Sequence, residues 1–149
     1  KSAAFLYGGL IPLCLTGLIG LLAVLLCFGL TVQVTNLVKN WVERPRPGHD
    51  PLLEGLLHLP EGKGGSYGFF SAHASNSFGM AVVTALIFRR GWYSAGIATW
   101  AALIGFSRIY LAKHFTTDVL CGALAGLLIG YLVYWLYRWV LIRISRKYS

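Results

Sequence analysis

Four nearly charge-free apolar stretches, Phe5 to Val38, Ala74 to Phe88, Trp92 to Ala112 and Val119 to Ile142, constrain this chain more than anything else in it. A hydrocarbon layer about 30 Å thick needs roughly 20 helical residues to cross it, and the last two stretches meet that length directly. The second reaches it when counted from Ser71 to Arg90, with Arg89 and Arg90 extending to the interface. The first is too long. Its 34 residues, counted from Phe5 to Val38, would run about 51 Å as one helix. It is therefore tilted and projecting, or broken near Gly8, Gly9 and Pro12. We expect one spanning helix from about Leu10 to Lys39, preceded by an interfacial turn. The composition agrees: 56% hydrophobic and 12% charged residues, with a mean hydropathy of +0.65, exclude an ordinary soluble domain. The expected fold class is an all-α polytopic transmembrane bundle of about four crossings in a single domain spanning residues 1–149.

Four crossings put both ends of the chain on one side and allow the cations to be sorted. Lys1, Arg89, Arg90, Arg138, Arg143, Arg146 and Lys147 fall on a face that the positive-inside tendency makes cytoplasmic. Lys39, Arg44, Arg46, Lys63, Arg108 and Lys113 fall on the other, against that tendency, and are expected to serve chemistry there. The net charge of +8 thus has two sources, a flank attracted to anionic headgroups and an outer cluster able to hold an anion. Nucleic-acid binding is not expected, because the cations punctuate helix ends and line no soluble face. Cys14, Cys27 and Cys121 lie in apolar stretches and read as small hydrophobes. No secretory signal is evident, and the chain opens on Lys1 with no initiator Met, which leaves open a trimmed sequence or a fragment and does not decide whether helices precede it.

Three short polar fragments interrupt the apolar chain, all on the outer side: Lys39 with Arg46-Pro47, Ser71-Ala72-His73, and Ser107-Arg108 with His114 and Asp118. A phosphate ester repels nucleophiles, so cleaving it takes cations around its oxygens, an in-line nucleophile and an acid for the leaving oxygen. Lys39, Arg46 and Arg108 supply cations, the arginines through a planar fork that matches phosphate. Ser71 precedes an apolar helix and reads as its N-cap. The amides of Ala72 and His73 then point outward, where the helix dipole favours an anion. His73 is placed to protonate a leaving alkoxide. His114 and Asp118 are four apart, so the carboxylate can hold one ring nitrogen and leave the other free to attack phosphorus.

Arg108 and His114 are six apart, which on one helix separates them by about 240°. For both to touch one phosphate the chain must turn between them. The third crossing should end near Ile109 to Lys113, and Thr116 and Thr117 are expected to cap a new helix with Asp118 in its first turn.

These fragments resemble the three signature motifs of the type 2 phosphatidic acid phosphatase superfamily, which also includes vanadium haloperoxidases and bacterial acid phosphatases. The match runs from Lys39 to Asp118, and the surrounding helices are typical of the membrane branch. The second motif usually reads Pro-Ser-Gly-His, whereas Phe70 and Ala72 stand here in place of the proline and glycine. The resemblance implies a phosphatase that works without metal or other cofactor through a phosphohistidine intermediate. His114 would be the nucleophile, Asp118 its orienting partner and His73 the general acid, with Lys39, Arg46, Ser71 and Arg108 as phosphate ligands. It also implies a membrane lipid phosphate as substrate: undecaprenyl diphosphate, lipid A, phosphatidylglycerol phosphate or phosphatidic acid. The Arg44 to Asp50 and Gly68 to Ala74 runs look most like bacterial members, so an envelope lipid met at the outer face of the cytoplasmic membrane is the favoured reading. A non-catalytic lipid-phosphate binder or transporter would keep the cations yet could dispense with His114 and Asp118.

The loop 48–70 is rich in turn residues. Within it Leu52 to Leu59 suggests a short amphipathic helix, either a lid over the site or a plain connector. His49, Asp50, Glu54, His58 and Glu61 show no metal-ligand spacing and are expected to solvate the loop. Arg44 is expected as a secondary headgroup contact, and Glu43 as a partner for a nearby cation.

Overall fold

The computed structural model describes residues 11–147. It is helical, with four long helices: α1 Ile11–Val42, α2 Ala72–Phe88, α3 Gly91–Tyr110 and α4 Thr116–Lys147. Two single turns of 3-10 helix, Pro47–His49 and Pro51–Leu53, lie in the α1–α2 connection. The expected boundaries hold closely. The third apolar helix ends at Tyr110, inside the region where a turn was required, and α2 begins immediately after Ser71. From Ile11 onward α1 is unbroken, Pro12 included. The break expected near Gly8 and Gly9, and the interfacial turn ahead of Leu10, lie outside the described residues.

The helices alternate in direction. Gly20 of α1 faces Tyr137 of α4, and Gly79 of α2 meets Cys27 and Thr31 of α1. Gly105 of α3 meets Val119 of α4. The residues near 39, 71, 108 and 114 thereby collect at one end of the bundle. Arg89, Arg90, Arg138, Arg143 and Arg146 collect at the other.

The packing is inside-out relative to a water-soluble bundle. Thr31, Thr35, Ser71, Ser75 and Ser77 are buried, while Leu21, Leu25, Leu124, Leu128, Leu132 and Trp135 are each more than half exposed. Small and hydroxyl residues let backbones approach, and the large apolar side chains face outward, as helices in lipid require. Thr31 donates to the Cys27 and Phe28 carbonyls, and Thr35 to that of Thr31, so these buried hydroxyls are satisfied within their own helix. Two helical segments, Cys14–Val42 and Thr116–Arg146, are long and apolar enough to cross a membrane. At 17 residues, α2 is short for a crossing.

Gly122, Gly126 and Gly130 form a stripe on α4 against which α2 lies. A Cβ at Gly126 would stand 2.2 Å from the Ser75 carbonyl oxygen, and one at Gly122 or Gly130 would stand 2.6 Å from the Ser71 or Gly79 carbonyl. The two backbones are therefore in direct contact, which fixes Ser71 and His73 of α2 relative to Asp118 of α4.

Two local expectations are corrected. Leu52 to Leu59 forms no helix: Pro51–Leu53 makes one 3-10 turn, and Gly55 at φ 76° then turns the chain away. Thr116 and Thr117 are not caps. Thr116 is the first residue of α4, and the Asp118 carboxylate reaches back to accept from the Phe115 N–H at 2.9 Å.

Candidate active site

The site is assembled from four pieces of chain. Lys39 stands in the last turn of α1. Beyond it, residues 44 to 46 run extended beside 66 to 68: the Gly68 N–H donates to the Arg44 carbonyl at 2.8 Å and the Arg46 N–H to the Ser66 carbonyl at 3.2 Å. Alternation along this extended piece sends Arg44 and Arg46 the same way, inward. Arg46 Nε donates to the Tyr67 carbonyl at 3.1 Å, and its aliphatic stem packs close over Gly68, where an added Cβ would stand 3.1 Å from it. Burial pushes the Arg46 guanidinium below its ordinary value, and the charge of Asp118 opposes that shift.

Ser71 is the N-cap of α2, its hydroxyl oxygen accepting from the Ala74 N–H at 3.4 Å while its own N–H donates to the Asp118 carbonyl at 2.9 Å. The amides of Ala72 and His73, in the first turn, have no intrahelical acceptor. Phe70, which stands where the motif usually has proline, is buried. His73 lies within electrostatic reach of Arg108, His114, Lys39 and Arg46, which come from the three other pieces. Lys39 in turn faces Arg46 and Asp118.

The turn between α3 and α4 does what the six-residue gap demanded. Leu111 ends α3, and Ala112 at φ 50° reverses the chain. The N–H groups of Lys113 and His114 fold back onto the Arg108 carbonyl at 3.0 and 3.3 Å. Arg108 Nε donates to Ser107 Oγ at 3.1 Å. His114 is almost fully buried, with Nδ1 facing Asp118 Oδ2 at 3.7 Å, and that nitrogen makes no hydrogen bond. Nε2 is thus the nitrogen turned away from the carboxylate. All seven residues singled out from the sequence, Lys39, Arg46, Ser71, His73, Arg108, His114 and Asp118, meet at this end of the bundle.

Two residues play parts that the motifs did not announce. Arg44, expected as a secondary headgroup contact, is engaged by the protein itself: its Nη1 donates to Asp118 Oδ1 at 2.9 Å and to Thr117 Oγ1 at 2.8 Å, and its guanidinium lies 4.4 Å from the Phe115 ring centroid. Lys113, 8% exposed, donates to the Glu61 and Gly62 carbonyls at 2.8 and 3.0 Å and ties the long loop down beside His114. Other loop residues are taken up structurally. His49 Nε2 contacts the Gly64 carbonyl, Asp50 accepts from Leu52 N–H, and Glu54 and Glu61 pair with Lys63 and Lys113. Glu43 makes no ion pair among the described residues. No group of three or more His, Cys, Asp or Glu gathers as a metal site among the described residues.

A helical bundle that gathers cations, two histidines, a helix N-terminus and a buried aspartate at one end has the makings of a phosphate-ester site. The chain belongs to the PAP2 superfamily, whose family model matches residues 20–142. It is 35% identical to the lipid A 4'-phosphatase of Porphyromonas gingivalis, over 82% of this chain and 47% of that protein. Against the lipid A 4'-phosphatase of Bacteroides thetaiotaomicron the identity is 33%, over 68% of this chain and 50% of the relative. Phosphatidylglycerophosphatase B of Bacillus subtilis is likewise 33% identical, with the same coverage. The chain thus spans about half the length of the curated relatives it matches. The crystal structure of a transmembrane PAP2 type phosphatidylglycerolphosphate phosphatase from Bacillus subtilis superposes with a TM-score of 0.62 at 31% identity, covering 84% of this chain and 68% of that one.

Proposed function

We propose that this protein hydrolyses a phosphate from a membrane lipid, with His114 as nucleophile. The observation that carries the reading is the pairing of His114 with Asp118: Nδ1 faces the buried carboxylate, which leaves Nε2 as the nitrogen for phosphorus. In the first step the Nε2 lone pair forms a bond to phosphorus as the bond from phosphorus to the lipid oxygen breaks. The His73 imidazolium gives that oxygen its proton. In the second, a water oxygen attacks the phosphohistidine, His73 takes a proton from the water, and the P–N bond breaks to release inorganic phosphate and free His114. Lys39, Arg46 and Arg108 hold the phosphate oxygens. Ser71 and the first amides of α2 complete the cradle.

The mechanism uses no metal. Both oxygens of Asp118 already have partners, and Asp50, Glu54 and Glu61 serve the loop. The substrate is an envelope lipid whose headgroup is presented at the outer leaflet, with the four helices crossing a bacterial cytoplasmic membrane and the site on its outer face. Lipid A and phosphatidylglycerol phosphate, of the kinds named in the relatives' own names, head the candidates; undecaprenyl diphosphate and phosphatidic acid follow.

The test is phosphate release from a panel of these four lipids in mixed micelles, with and without EDTA. Release from one or more lipids, undiminished by the chelator, is expected. Binding to the lipids without release would instead make the protein a lipid-phosphate binder, and loss of activity in EDTA would overturn the metal-free mechanism.

A further inference from the structure

We propose that Arg44 is a positioning residue for the reaction, acting on His114 through Asp118. The inference rests on the phosphatase reading above and extends it to a residue outside the three motifs.

Asp118 is fully buried, and a carboxylate out of water needs compensation for lost hydration. His114 does not provide it, because the Nδ1 to Oδ2 distance of 3.7 Å is beyond a hydrogen bond. Compensation comes from the Phe115 N–H on Oδ2 and Arg44 on Oδ1, each at 2.9 Å. Arg46 and Lys39 also face Asp118, but without a direct bond to it. Arg44 is therefore the one cation that touches the carboxylate among the described residues. It is itself fixed by stacking on Phe115, by Thr117 and by the Arg44 to Gly68 backbone bond. This clamp sets both the charge that Asp118 presents to His114 and the rotation of the carboxylate toward Nδ1. Nothing in it requires contact with the lipid phosphate, since the Nη1 hydrogens are directed at Asp118 and Thr117.

A residue acting in this way changes the chemical step and leaves phosphate binding alone. Arg44→Gln is expected to lower kcat by about 10- to 100-fold, the effect of losing one charged hydrogen bond, with KM and the inhibition constant for vanadate within about twofold of the parent. The decisive readout is a double-mutant cycle with Asp118→Asn. If Arg44 works through Asp118, adding Arg44→Gln to that variant costs no more than about threefold further. Arg44→Lys, which keeps the charge but loses the fork and the stacking, should fall between and serves if the Gln variant does not fold. Independent, multiplicative losses in the cycle, or weakened vanadate inhibition, would overturn the proposal by making Arg44 a structural or phosphate-binding residue. Full activity of Asp118→Asn would likewise overturn it, since Arg44 could not then act through that carboxylate, whereas no phosphate release by the parent protein would instead sink the underlying phosphatase reading. An impaired Asp118→Asn beside a normal Arg44→Gln would remove this inference alone.

Discussion

His114→Ala should reduce phosphate release from the preferred lipid to background, a loss on the order of 10³-fold or more, while the protein extracts, elutes and melts as the parent does. Removing the nucleophile closes the covalent route altogether, and the cradle of cations cannot supply another attacking atom. The fold should tolerate the change. His114 lies in the turn between α3 and α4, its backbone N–H stays on the Arg108 carbonyl, and its Nδ1 makes no hydrogen bond to lose. Lipid binding should also survive, because Lys39, Arg46, Ser71 and Arg108 are untouched. Undiminished release would remove His114 from the chemistry.

The second large effect is expected at a glycine in the α2–α4 contact. Gly126→Leu should prevent α2 from seating on α4, costing about 3 kcal/mol or more and yielding protein that aggregates on extraction or melts well below the parent. Overpacking usually costs less because side chains rotate aside, but here the obstacle is the Ser75 carbonyl, with the Gly79 amide nitrogen also only 2.9 Å from the added Cβ. Backbone cannot rotate aside without separating the helices. Gly29→Ala is the matched control: a Cβ there meets nothing within 4 Å, so its melting temperature should stay within a degree or two of the parent. A Gly126→Leu variant as stable and active as the parent would mean that the α2 and α4 contact does not hold the site together.

That contact shows where sequence reading reached its limit. The spacing of four that puts Gly122, Gly126 and Gly130 on one face is in the sequence, but nothing local says that the Ser71, Ser75 and Gly79 backbone lies against it. The helices themselves were legible because each is a long apolar run ended by a Gly, a Pro or a polar fragment. The turn after Tyr110 was legible from geometry alone, since Arg108 and His114 cannot share a phosphate on one helix. The seven motif residues were legible because phosphate chemistry needs their types and few other polar groups were available at the helix ends. Arg44 was not, because its partner Asp118 is 74 residues away and the extended pairing of residues 44–46 with 66–68 leaves too short a strand to read. Lys113 was sorted to the correct side but not to its carbonyl partners, 51 and 52 residues back in the loop. The Leu52 to Leu59 pattern misled for the opposite reason: its apolar spacing suits a helix, but Gly55 takes a positive φ that ends one.

The most direct test of the account is to trap the intermediate. The protein is mixed with its lipid substrate carrying radiolabelled phosphate, quenched in base within the first turnover, digested and mapped. The account predicts acid-labile, base-stable label on the peptide bearing His114, absent from His114→Ala. Steady release of labelled phosphate with no label on the chain at any quench time, or label on His73 instead, would contradict it.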